Sequence, residues 1–184
     1  MEACAGTVML DDEDPETFKR FNAWLYTGNL MYDEETMQMI EYGRLFELYV
    51  FAEKRLIPGL QNACIDAVIH KFLVGKAFPQ IKHTVTLWDN TPNSSPMRKL
   101  VVDQFVAKGH MVKYLAFDDE VDMHSKDFLA SLVRTYYTAR KDGSLKPGWD
   151  FWARRCHYHT HEDGSTECHQ GYRHRTSAGS LPEF

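Results

Sequence analysis

The sequence predicts a mostly α-helical chain with one short strand near its start. Apolar residues recur at three- and four-residue spacing through most of the chain, the mark of helices with one buried face. Helix entry and exit residues bracket several of those runs: Asp14 and Pro15 open one that Gly28 closes, and Ser125 opens another that Gly143 closes. The run Gly6 to Leu10, GTVML, is β-prone and supplies the strand.

Each element follows from local chemistry. Asp14 offers a carboxylate to the free N–H groups of the first helical turn, and Pro15 fits the first helical position. The cluster Asp11 to Asp14 lies where a helix N-terminus favours negative charge. It lacks the alternating ligand spacing of a calcium loop, so it is expected to be a solvated helix entry. Phe18, Phe21 and Leu25 fall at i, i+3 and i+7, with Trp24 beside them, and predict the buried face of the first helix. A second helical zone runs from Glu34 to Leu56, with Gly43 as a candidate break. From Leu45 to Ala52 its one charged residue is Glu47, which predicts burial on most sides.

Pro58 starts a third helix, with Leu60, Cys64, Ala67, Val68 and Phe72 on one face. IKHTVTLWDNT, from Ile81, fits helix or strand. TPNSSP is a loop ending in a cap at Ser95. The helix after Pro96 is expected to bury Leu100, Val101 and Phe105. After Ser125, the residues Phe128, Leu129, Leu132, Val133, Tyr136 and Tyr137 repeat at helical spacing, and Arg140 and Lys141 suit the negative end of the helix dipole. From Lys146 onward periodicity disappears and Pro, Gly, Ser and His accumulate, which reads as a loosely ordered tail. Trp149 and Trp152 are candidates to dock that tail on the body or to anchor a partner.

Composition excludes several classes. A 43% hydrophobic and 26% charged chain has the balance of a globular protein, so disorder throughout is not expected. A net charge of −5 supplies no basic field, so nucleic acid is not an expected partner. No run is apolar and long enough to span a bilayer, and the first residues lack a signal-peptide pattern. Four scattered cysteines predict reduced thiols, hence cytoplasm or nucleus.

The succession DDEDPETFKRFNAWLYTGNL, then LFELYVFAEKRLIPGLQNACIDAVI, resembles the second half of a BTB/POZ domain, in the form its fungal branch takes. The matching positions include Asp14, Pro15, Phe18, Phe21, Trp24 to Gly28, Leu48 to Val50, Ala52, Lys54, Ile57, Pro58, Leu60 to Ala63 and Asp66. WDNTPNSSPMRKLVVDQF is similar to the region following the domain in the same group. The resemblance covers Gly6 to Val106 and implies the C-terminal portion of an α+β BTB/POZ fold followed by a helical extension. The strand pair and two helices that open a complete domain are expected to be missing, and homodimerisation through the usual BTB face with them.

The segment CHYHTHEDGSTECHQGYRH holds five of the nine histidines and two of the four cysteines. Cys156 and His159 have C-x2-H spacing, and His161, Cys168 and His169 follow. Thiolate and imidazole are ligands that zinc prefers, and Cys156, His159, His161 and Cys168 form a candidate tetrahedral set. A polar tail with clustered residues is the plainer reading, since no hairpin and helix separate the ligands as in a zinc finger. Catalysis by Cys156 with a neighbouring histidine would need a rigid pocket and an orienting third group, which the tail pattern does not supply.

The expected organisation is a partial BTB/POZ-like domain over 1–75, a helical extension over 76–145 and a Cys/His-containing tail over 146–184. The expected function is a non-enzymatic protein-interaction module, an adaptor or regulatory scaffold. By the resemblance, its partners are proteins of a cullin-type ubiquitin ligase or a transcriptional complex. Phe21, Tyr26, Met31 and Tyr32 are the candidate partner-binding residues. The alternative is a zinc-stabilised regulatory module in which the tail carries the function.

Overall fold

A computed structural model of the chain describes residues 13–75, 78–107, 125–143 and 150–161. Among them are six α-helices and no strand: α1 (Pro15–Thr27), α2 (Tyr42–Lys54), α3 (Pro58–Gly75), α4 (Ile81–Asn90), α5 (Pro96–Ala107) and α6 (Lys126–Asp142). A 3₁₀ turn, Arg155–His157, follows. The mostly α reading holds. The strand expected over Gly6 to Leu10 lies outside the described residues.

The first helix forms as its end residues dictate. Asp14 Oδ2 accepts from the Thr17 amide at 3.1 Å, and Pro15 occupies the first turn. Gly28 ends the helix at φ 72°, a left-handed conformation that glycine adopts without steric cost, and its amide donates to Trp24 O at 2.8 Å. Thr17 and Arg20 are buried, and Phe18, Phe21 and Trp24 pack partly buried against the core. Of the expected face, Leu25 alone turns to water, at 54% exposed. Two polar residues, invisible to a count of apolar spacing, complete the face instead.

Helices α2 and α3 form the centre. From Leu45 to Ala52 every residue but Glu47 is buried, as the missing charge predicted. The helix expected from Glu34 begins only at Tyr42, after turns over residues 34–41, and Gly43 sits inside the first turn of α2. There the His83 ring of α4 packs so closely that a Cβ would stand 2.9 Å from His83 Cδ2. The IKHTVTLWDNT segment resolves as helix, with Thr84, Leu87 and Trp88 buried at i, i+3 and i+4. On α6, Phe128 and Leu132 are buried and Leu129 and Tyr136 pack partly buried against the core, while Val133 and Tyr137 face solvent, so four of the six expected positions serve the core.

Aromatic rings join the elements into one core. Trp88 of α4 meets Phe128 of α6 at 4.9 Å between centroids, and Phe128 meets Phe105 of α5 at 5.6 Å. Phe105 meets Phe78 at 4.9 Å, and Phe78 meets Phe72 of α3 at 5.5 Å. Phe72 then meets Phe151 at 5.4 Å. The stretches divided at 75/76 and 145/146 by composition thus contribute to a single apolar cluster.

Residues 150–161, read from sequence as part of a loosely ordered tail, pack on this core. Phe151 and Tyr158 are fully buried, and burial of each such side chain stabilises by about 1.5–3 kcal/mol. Trp152 packs partly buried against the same cluster, whereas Trp149 lies outside the described residues. The segment carries no helical period because its one regular element is a single 3₁₀ turn.

Candidate functional site

The segment winds tightly. Asp150 Oδ1 accepts from the Ala153 amide at 2.9 Å. Four amides then bond three residues back: Arg155 to Trp152 O, His157 to Arg154 O, Tyr158 to Arg155 O and His159 to Cys156 O. In such a 3₁₀ winding, side chains three apart eclipse, which sets Cys156 and His159 on one side. His161, two residues further, returns to that side. Its ring centroid lies 6.1 Å from that of His159.

The ligand atoms of Cys156, His159 and His161 all lie within 4.8 Å of one another. The structure therefore brings together three of the four residues singled out for metal binding. The fourth, Cys168, lies outside the described residues, as does His169. His157, in the middle of the turn, faces away: its Nε2 accepts from Lys99 Nζ. Burial first, then the charges of Lys99 and Arg154, hold this imidazole below its ordinary pKa and so in the neutral form that can accept.

Helix α3 holds the cluster from outside. Asp66 Oδ1 lies 3.0 Å from His159 Nε2, with Asp66 and the His159 side chain both buried. One turn earlier, Asn62 brackets the backbone between the two histidines. The Thr160 amide donates to Asn62 Oδ1 at 2.8 Å, and Asn62 Nδ2 donates to Thr160 O at 2.9 Å. Asn62 and Asp66 stand at i and i+4, hence on one face of α3. A third tether comes from α5, where the Tyr158 hydroxyl donates to buried Asp103 at 2.9 Å. Neither Asn62 nor Asp66 was singled out from sequence as a site residue. The available signal was two polar residues one turn apart inside an apolar helix.

The candidate partner-binding residues divide. Tyr26 is 84% exposed at the end of α1. Phe21 packs on Phe51 at 5.1 Å between centroids and serves the core. Met31 is partly buried against it as well. The Tyr32 hydroxyl donates to Glu16, and its ring lies under the Arg20 guanidinium at 4.9 Å.

Among the described residues, the most exposed apolar one that the sequence did not bring to notice is Leu56. Leu56, at the corner between α2 and α3, is 84% exposed and held at φ 54°. Its amide bonds to Glu53 O at 3.1 Å, and that of Ile57 reaches back to Ala52 O at 2.9 Å. This is a helix stop in which glycine normally takes the left-handed position. A side chain there costs about 1–2 kcal/mol.

No helix among the described residues is long and apolar enough to cross a membrane. No protein-family model, curated protein or solved structure matches the chain. The BTB/POZ resemblance rests on the sequence motifs alone.

Proposed function

We propose that this chain is a non-enzymatic protein-interaction module of BTB/POZ type that engages a protein partner through exposed apolar residues at helix ends. The observation carrying this reading is Leu56. It adopts a left-handed backbone conformation and projects a large apolar side chain into water. Glycine would fit the same helix stop with less strain and no exposed apolar surface. A strained residue that gains nothing in packing is a candidate for function outside the fold. Tyr26, exposed at the end of α1, is a second point of the same kind.

The partner class proposed is a helical protein surface of the cullin type, as the resemblance implies. The test pairs stability with binding. Leu56→Gly relieves the strain at some cost in unfolded-chain entropy, and raises Tm by about 1–4 °C. It also weakens binding to a cullin N-terminal domain about tenfold or more in biolayer interferometry. A wild-type chain that does not bind that domain while a complete BTB protein does removes the ligase-adaptor reading. Binding unchanged by Leu56→Gly removes the role given to Leu56.

A further inference from the structure

We propose that Cys156, His159 and His161 bind one zinc ion, in a site that α3 shapes from outside the ligand set through Asn62 and Asp66. This does not depend on the partner-binding reading. One thiolate and two imidazoles suit a borderline-soft cation and not the hard, oxygen-seeking calcium or magnesium.

The spacing is close to that required. A tetrahedral zinc about 2.3 Å from sulfur and about 2.0 Å from each nitrogen needs ligand atoms roughly 3.3–3.6 Å apart. The present atoms lie within 4.8 Å. Contraction by about 1 Å is within the reach of side-chain torsions, with the backbone at Thr160 held by both hydrogen bonds of Asn62.

His159 directs Nε2 toward Asp66. A carboxylate on the far nitrogen fixes the tautomer and raises the basicity of the ligating one. His161 Nε2 is inaccessible to solvent and has no hydrogen-bond partner. A buried imidazole nitrogen without a partner is costly, and a metal ion among these ligands satisfies it. Burial of the neighbouring Tyr158 and the Phe72–Phe151 contact place the site against the folded core. The ion therefore cross-links the C-terminal segment to itself, while Asn62 and Asp66 tie that segment to α3. The three ligands leave one tetrahedral position to a fourth donor.

The test uses the whole chain, stripped by chelator, with far-UV circular dichroism to verify folding and cobalt as the spectroscopic probe. One equivalent of cobalt is expected to give the intense visible bands of a tetrahedral ion and a thiolate-to-cobalt charge-transfer band, both displaced by zinc. Cys156→Ser abolishes the charge-transfer band. His161→Asn, which breaks no hydrogen bond at Nε2, weakens cobalt binding about tenfold or more. Asp66→Ala weakens it about 10–100-fold through His159. A folded wild-type chain without tetrahedral bands at micromolar cobalt overturns the proposal. So does a spectrum unchanged by both Cys156→Ser and His161→Asn, which would place the metal elsewhere.

Discussion

Asp66 Oδ1 lies 3.0 Å from His159 Nε2, a contact between residues 93 positions apart that ties the C-terminal segment to the central helix. Both side chains are buried, so the contact replaces water for each. Arg155 adds a longer ion pair, its Nε 3.9 Å from the same oxygen. Asp66→Ala leaves a buried imidazole nitrogen without its partner and is expected to destabilise the metal-free chain by about 1–3 kcal/mol. Urea unfolding monitored by tryptophan fluorescence measures it. Asp66→Asn keeps an acceptor oxygen and is expected to cost less.

Arg20 holds the loop after α1. Its guanidinium donates to Leu30 O at 2.9 Å and to both carboxylate oxygens of Glu35, at 2.6 and 3.1 Å, while itself buried. Removing one partner of a buried charge network strands the other. Arg20→Ala is expected to cost about 3 kcal/mol. Arg20→Lys restores little, because an ammonium cannot reproduce the planar fork. Thermal unfolding of the two variants should therefore cluster together, well below wild type.

Tyr158 separates packing from hydrogen bonding at the C-terminal segment. Tyr158→Phe keeps the ring stacked on Phe151 but removes the donor to Asp103, for a loss of about 1–2 kcal/mol. Tyr158→Ala also empties a fully buried site and should cost about 3–5 kcal/mol. Denaturant midpoints compared at equal slope distinguish the two losses.

His70 and His83 make stability fall in mild acid. Burial lowers the pKa of both; at His83 Lys82 adds to the effect, against Glu41 and Glu47. The unfolded chain then takes up protons before the folded one as pH drops. The stabilising contribution is complete above the unfolded value, about 6.5, and is lost as pH falls through it toward the folded value. Glu53 and Asp103 shift upward and work in the opposite sense at lower pH. The difference between wild type and His83→Gln isolates the imidazole. The Tm gap between the two is expected to change between pH 7.5 and 5.5, with wild type losing more.

Much of the helical frame was legible because its signals are local. The Asp14 and Ser125 caps each accept from an amide three residues on, and Gly28 and Gly143 end their helices in left-handed conformations. Burial of Leu45 to Ala52 followed from one missing pattern of charge. What escaped depends on distant partners. Arg20 and Thr17 are polar and stand outside any count of apolar spacing, yet both are buried, Arg20 by its partners across a loop. Ile65 and Asp66 lie off the predicted face of α3 and are buried as well, with the C-terminal segment packed on that helix. That segment has no period to read, since its order comes from Phe151 and Tyr158 entering a core assembled from other helices. Composition and the C-x2-H spacing brought Cys156, His159 and His161 to notice, and the fold brings their ligand atoms together. Leu56 gave no signal, because backbone strain is not written in a residue's identity.

The central claim is that residues 150–161 are part of the folded body and not a free tail, since the Cys/His cluster exists only on that condition. Phe72 and Phe151 report it most directly, with ring centroids 5.4 Å apart in an edge-on arrangement. A nuclear Overhauser measurement on the metal-free full chain with labelled phenylalanine rings should show a cross-peak between these two rings, with Phe151 shifted from random-coil positions. Sharp random-coil resonances for Phe151 and no cross-peak to Phe72 would contradict the account.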